Sequence, residues 1–210
     1  MSEDLANKVN ELKKSAIRKL VSQRVQEFKE LGRKGNKEWF SELCFCILTA
    51  NSTAKLGIKI QRELGDRGFL ELSEAELRKK LRQLGHRFPN TRARFIVEAR
   101  EFSNIKTIIK NFKDAQQARE WLQRNIKGIG WKESSHFLRN VGFSDAAILD
   151  RHVLAVLREH KLIDEVPRSL ACARYLEIEE KLRKFARGLN ISLDKLDLYL
   201  WYMKTGDVLK

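Results

Sequence analysis

Lys132 and Asp150 are the residues of this chain whose types and surroundings could do covalent chemistry. Lys132 closes the stretch Asn125-Ile126-Lys127-Gly128-Ile129-Gly130-Trp131-Lys132, and Asp150 follows eighteen residues later in Ile148-Leu149-Asp150-Arg151-His152. A neutral lysine amine can attack C1′ of a deoxyribonucleotide as the base departs and form a Schiff base with the opened sugar. That imine permits β-elimination of the 3′ phosphate, so one amine can support both base removal and strand cleavage. Taken alone, a lysine on a helix is a solvated surface residue. The Gly-x-Gly turn immediately before this one changes the reading, because backbone N–H groups at a helix N-terminus, unobstructed by side chains, let a phosphate approach closely. Gly128, Ile129 and Gly130 are therefore expected to offer amides to a phosphate, with Lys127 adding charge at the mouth of the turn; such contacts position DNA without reading its sequence. Asp150 immediately precedes the periodic segment Arg151-His-Val-Leu-Ala-Val-Leu, which predicts a helix N-cap.

These groups must be held by helices. The chain has two prolines and no sustained alternation of apolar and polar residues, so an all-α fold is expected, with no strands. Leu20, Val21, Val25, Phe28 and Leu31 repeat at helical spacing up to Gly32-Arg33-Lys34-Gly35, which reads as a linker. Further helices are predicted at about 37–50, 54–64, 74–84, 90–102, 115–126, 131–141, 151–160, 171–187 and 193–204. Ser73-x-x-Glu76 predicts a capping box, and Gly142 the end of the second hairpin helix. Across the tight hairpin, Trp121, Leu122 and Ile126 are expected to face Leu138 and Val141.

Composition narrows the partner. With 42 Lys+Arg against 28 Asp+Glu, the formal charge is +14, which favours a polyanion, and nucleic acid first. Cys44, Cys46 and Cys172 are too few for a four-thiolate iron–sulfur cluster or a secreted disulfide framework, and Cys44 and Cys46 read as small buried hydrophobes. His86, His136, His152 and His160 lack zinc-ligand spacing, so no metal and no cofactor are expected; His136 and His152 are expected to pack or hydrogen-bond near the cleft. No apolar stretch approaches membrane-spanning length, and the start Met-Ser-Glu-Asp-Leu is not a signal peptide, which together predict an intracellular protein. A monomer is expected.

The segments Gly-Ile-Gly-Trp-Lys-Glu-Ser-Ser-His-Phe-Leu-Arg-Asn-Val-Gly at 128–142 and Ala-Ile-Leu-Asp-Arg-His-Val-Leu at 147–154 resemble the helix-hairpin-helix DNA glycosylases with the Gly/Pro-Asp loop. Within that superfamily they are most similar to the compact archaeal-type 8-oxoguanine DNA glycosylase/lyases, the second Ogg group. Leu48-Thr49-Ala50-Asn51, Gly85-His86-Arg87-Phe88 and Leu198-Tyr199-Leu200-Trp201-Tyr202 through Lys210 extend the likeness over most of the chain. The resemblance implies two helical domains, 36–143 ending in the hairpin and 1–35 plus 144–210 formed by both chain ends, with the active site in the cleft between them. It implies a bifunctional enzyme acting on double-stranded DNA containing 8-oxoguanine in a prokaryotic cell, an archaeon by this likeness. Lys132 becomes the nucleophile, and Asp150 the group that stabilises the cationic sugar or assists proton transfer. An extruded base needs an aromatic-lined pocket; the resemblance puts Phe88 and Trp201 on its two faces. It also folds Lys210 into the pocket, with the α-carboxylate toward guanine N1–H and N2–H2 and the ammonium near the 8-oxo edge. Asn51 would insert into the gap left by the flipped nucleotide or contact the opposite base.

Other readings stay open from the sequence. A related glycosylase for oxidised pyrimidines commonly carries a four-cysteine cluster, which is missing here, and a mismatch-adenine enzyme would lack a lysine at position 132. A non-catalytic hairpin module binding duplex or branched DNA would need only the turn and the charge. An RNA-binding structural protein finds little support, since no aromatic strand motif is present.

Overall fold

The computed structural model describes residues 2–210; Met1, the first residue of the start read above as no signal peptide, lies outside the described residues. Among the described residues twelve α-helices run in order: α1 Glu3–Lys14, α2 Ile17–Arg33, α3 Asn36–Thr49, α4 Ala54–Glu71, α5 Glu74–Gln83, α6 Pro89–Ala99, α7 Ile105–Ile109, α8 Ala115–Asn125, α9 Trp131–Asn140, α10 Arg151–Glu159, α11 Cys172–Gly188 and α12 Leu193–Thr205. A short 3-10 turn, Arg100–Phe102, follows α6. There is no strand among the described residues.

Helix α3 explains the architecture. Its residues from Trp39 to Thr49 are all buried, which demands covering elements on every side. Helices α4, α6, α7 and α9 pack around it. Together they enclose one apolar core, in which Leu122, Ile126, Leu138 and Val141 meet across the hairpin. A second core joins Leu5, Val9, Val25 and Phe28 from the start of the chain to residues of α10, α11 and α12, such as Leu157, Leu182 and Leu200. Trp131 packs into this second core, so α9 touches both. Helix α2 contacts α9 on one side and α12 on the other.

Local signals account for the ends that matter. Ser73 and Glu76 form the capping box in front of α5, with Glu76 Oε2 accepting from Ser73 N at 2.8 Å. Helix α9 stops at Gly142, whose φ of +96° suits a residue without Cβ. There Gly142 N donates to Arg139 O at 3.0 Å and Phe143 N to Leu138 O at 3.0 Å, the paired bonds of a Schellman ending.

Several expectations need correction. Helix α2 continues through Gly32 and Arg33, leaving only Lys34 and Gly35 as connector; this turn is pinned by Trp39 Nε1 donating to Leu31 O at 3.1 Å and Lys106 Nζ to Arg33 O at 3.0 Å. Leu20 is exposed at 49%, because the buried stripe runs through Val21, Val25 and Phe28 and leaves position 20 to one side. The helix expected at 54–64 reaches Glu71 after a bend at Gly65. That expected at 90–102 ends in the 3-10 turn, while α1 and α7 were not foreseen. Trp121 is only partly buried, at the margin of the core that holds Leu138 and Val141. It meets Phe102 edge to face, with ring centres 5.3 Å apart, and Phe112 at 6.1 Å, because its position turns it toward the loops that flank α7.

Candidate active site

The hairpin that introduces Lys132 is built by exclusion. Gly128 has φ +82°, and a Cβ there would lie 2.5 Å from Phe95 Cδ2, so the turn requires glycine on both conformational and steric grounds. Ile129 is buried at 5% exposure and anchors the turn in the first core. The amides differ from the expected open clamp. Ile129 N donates to Ile126 O at 3.4 Å and Gly130 N to Glu133 Oε2 at 3.2 Å; Gly128 N has no acceptor among the described residues. Lys127 is well exposed and pairs with Glu98 on α6 at 3.2 Å. Lys132, at the second position of α9, has its ammonium 2.8 Å from Glu133 Oε1.

Asp150 caps α10, its Oδ1 accepting from His152 N at 2.9 Å and Val153 N at 2.8 Å. No hydrogen bond is made by Oδ2 among the described residues. The segment leading to Asp150 is fastened from behind by buried polar groups. Tyr175 Oη donates to Ala147 O at 2.6 Å and accepts from Leu149 N at 3.3 Å, while Glu179 Oε1 accepts from Ala147 N at 2.9 Å. Glu179 also forms a two-pronged pair with Arg119 at 2.7 and 2.8 Å, and Arg119 donates to Ser135, one turn along α9 from Trp131. Burial alone would lower the Arg119 guanidinium, but the bond and charge of Glu179 more than reverse it. The helix bearing the lysine and the segment bearing the aspartate thus share one buried bracket.

Lys132 and Asp150 line a cavity of about 760 Å³ together with Asn51, His136, Trp201 and Lys210. Asn51 stands at its edge with φ +59°, a conformation asparagine tolerates better than most residues. Trp201 meets His152 edge to face at 6.2 Å. Phe88 is not among the lining residues. It is 37% exposed, under the Arg87 guanidinium at 5.2 Å, and its amide donates to His86 Nδ1 at 3.1 Å. Since Nδ1 accepts that bond, His86 Nε2 carries the proton that bonds Leu48 O at 2.9 Å, and the ring is neutral, as burial favours. This bonding holds the loop with Phe88 outside the cavity, so no sandwich of Phe88 and Trp201 is assembled here.

The ammonium of Lys210 does not stand free in the cavity either. It donates to Glu42 Oε2 at 2.7 Å and to Gln61 Oε1. Glu42 Oε1 accepts from Asn140 Nδ2 at 2.6 Å, and Asn140 Oδ1 accepts from Arg139 at 3.1 and 2.9 Å. Arg139 pairs with Asp197, a cavity residue on α12. Burial pushes the Asp197 carboxyl up to about 6 against the pull of Arg139, with the charge of Asp150 adding to the rise. His136 is held well below the usual imidazole range by burial first, then by the cations Arg139, Lys132 and Lys210. Sequence reasoning missed this network. Its visible signal was Glu42, a lone carboxylate within the apolar run Phe40–Leu48. Among the described residues, no group of three or more His, Cys, Asp or Glu is placed to hold a metal ion, and no helix is long and apolar enough to cross a membrane.

Comparison with known proteins gives this geometry a lineage. A family model described as 8-oxoguanine DNA glycosylase matches residues 21–191. The chain is 56% identical over 206 residues to the 8-oxoguanine DNA glycosylase/AP lyase of Methanocaldococcus jannaschii, covering 98% of this chain and 99% of that protein. It is 50% identical over 208 residues to the protein of the same name from Thermotoga maritima, covering 98% and 99%. Among solved structures, the Methanocaldococcus jannaschii glycosylase/lyase in complex with 15mer DNA containing 8-oxoguanine superposes with a TM-score of 0.96 at 56% identity, covering 98% of this chain and 99% of that one. The Thermotoga maritima 8-oxoguanine DNA glycosylase does so with a TM-score of 0.93 at 48% identity over 100% of both chains. By this match over most of its length, on an all-helical fold, the chain belongs to the 8-oxoguanine DNA glycosylase family.

Proposed function

We propose that this protein excises 8-oxoguanine from double-stranded DNA through a Schiff base on Lys132 and cleaves the strand by β-elimination. The observation that carries the reading is convergence. Lys132, Asp150, Trp201 and Lys210 come from separate elements and line one cavity, in a chain that belongs to this family. In this reading 36–143 and 1–35 plus 144–210 act as the two domains, supported by the two apolar cores, and the cavity is the cleft between them.

The chemistry follows from the side chains. The ammonium of Lys132 must first leave Glu133 and lose a proton, since only the neutral amine attacks. Its nitrogen then bonds C1′ as the C1′–N9 bond breaks, and the electron pair leaves with the base, which takes up a proton. Asp150 Oδ2 is the group we assign to the cationic sugar and to proton exchange with Lys132, while Oδ1 stays committed to the helix cap. Ring opening gives the protonated imine. Loss of a C2′ proton then expels the 3′ phosphate, and water releases the enzyme. Trp201 offers one stacking face to the extruded base. Phe88 would supply the other only if its loop turned inward on binding DNA. Gly128 N, Lys127 and the first turn of α9 supply the phosphate contacts, and Asn51, on the cavity lining, is assigned to the gap left by the flipped nucleotide or to the opposite base.

The test is a single-turnover reaction on a duplex with one 8-oxoguanine, following free base and nicked strand together. The reading predicts both products from the lesion duplex and neither from the undamaged one. Binding of both duplexes with no product would instead favour a hairpin module without catalysis.

A further inference from the structure

We infer that Glu42 and Gln61 form an anchor for the Lys210 ammonium, so that the lysine side chain holds its own backbone over the cavity and does not read the lesion base directly. This rests on the assignment of Lys210 to the base pocket and specifies how that residue works. The ammonium is nearly saturated. It donates to Glu42 Oε2 at 2.7 Å and to Gln61 Oε1, and it lies 4.2 Å from the centre of the Phe45 ring. Two of its three N–H donors therefore have oxygen acceptors, and the third side faces an aromatic surface.

Glu42 is 1% exposed in the buried stretch Trp39–Thr49 of α3, and a carboxylate so buried demands a cation. Lys210 is that cation. The other oxygen of Glu42 is fixed by Asn140, and Gln61 Nε2 is shared between Ser41 Oγ and Glu42 Oε2 at 3.2 Å each. The receptor for the ammonium is therefore set by α3, α4 and α9. The same network runs through Asn140 and Arg139 to Asp197 on α12, the helix of Trp201. Lysine position, nucleophile helix and stacking helix are tied into one polar chain. The backbone of Lys210 lies beside the buried ring of His136. With the ammonium so held, the part of Lys210 left to meet an extruded base is its main chain.

An anchor that positions a base reader has a signature that mere structural damage lacks. It should affect the step that recognises a base more than the step that acts on a site without one. Glu42→Gln and Lys210→Met are compared by single-turnover excision of 8-oxoguanine and by strand cleavage at a preformed abasic site, with melting temperature recorded. The inference predicts that the ratio of excision to abasic-site cleavage falls about tenfold or more in each, the scale of one charged hydrogen bond, and that the double variant is no worse than Lys210→Met. If Lys210→Met lowers the ratio and Glu42→Gln does not, the ammonium reads the base itself and the anchor is wrong. A ratio preserved in both variants at an unchanged melting temperature overturns the assignment of Lys210 to the base pocket, and the anchor with it. Equal loss of both activities alongside a lowered melting temperature makes Glu42 a folding residue and overturns its positioning role.

Discussion

Glu179→Gln replaces a single carboxylate oxygen with an amide nitrogen and should nonetheless be among the most damaging conservative changes in this protein. The Glu179 and Arg119 side chains are both 2% exposed, so water cannot take over for the lost charge. The guanidinium, raised by its partner, stays protonated and would be left buried without a counter-charge. Removing one member of such a pair costs about 3–5 kcal/mol, because the survivor keeps its full desolvation penalty. For a chain of this size that corresponds to a fall in melting temperature of roughly 6–20 °C. The glutamine carbonyl can still accept from Ala147 N, so the segment leading to Asp150 keeps one tether, and the charge is the main thing removed. A second substitution, Arg119→Met, tests the cause. With both charges gone the double variant should recover about 2 kcal/mol or more relative to Glu179→Gln, a non-additivity expected only for groups in contact. Thermal unfolding followed by circular dichroism on the four proteins gives the cycle. A Glu179→Gln variant within about 1 kcal/mol of the parent, or a double variant as unstable as the sum of the singles, would show that the buried pair does not carry this stability.

Other perturbations separate roles that overlap in one residue. Asp150→Asn preserves a side-chain acceptor for His152 N and Val153 N, so stability should change by under about 1 kcal/mol while excision falls by roughly a hundredfold or more; Asp150→Ala should add the loss of the cap, about 1 kcal/mol. Near-parental excision by Asp150→Asn would remove the carboxylate from the chemistry. Gly128→Ala forces a Cβ to 2.5 Å from Phe95 at φ +82° and should cost about 1–3 kcal/mol, with weaker binding of any duplex, damaged or not, by fluorescence anisotropy. Unaltered binding and stability would mean that the turn does not need its shape. For His136 the native pKa lies below the ordinary value of 6.5, so the unfolded chain takes up a proton first as pH falls. Its contribution to stability is therefore full above pH 6.5 and declines as pH drops toward the native pKa. In denaturant titrations His136→Gln should flatten that decline, and an identical slope in the variant would place the titration elsewhere.

The hairpin was legible in the sequence because its cause is local. Gly128 and Gly130 bracket a tight turn that excludes a side chain at Gly128, and Asp150 precedes an apolar helical repeat that needs a cap. The core of α3 was legible for a similar reason, since the apolar run Leu43–Leu48 has to be covered. What escaped depends on partners distant in the chain. Trp121 turned to Phe102 and Phe112 because α7, too short to show a period, closes that side. Helix α4 ran past its expected end because a single glycine bent it without stopping it. The position of Phe88 is decided by His86 bonding Leu48, a contact across 38 residues. Glu42 could have been singled out as a carboxylate inside an apolar segment, but its partners at positions 61, 140 and 210 could not.

Lys132 should become covalently bound to the sugar of an 8-oxoguanine nucleotide. Incubating the protein with a lesion duplex in the presence of borohydride reduces any Schiff base to a stable amine, and peptide mapping then locates the adduct. The adduct is expected on Lys132, to require the lesion and to be lost in Lys132→Gln. An adduct of equal yield in Lys132→Gln, or base release with no adduct at all, would contradict it.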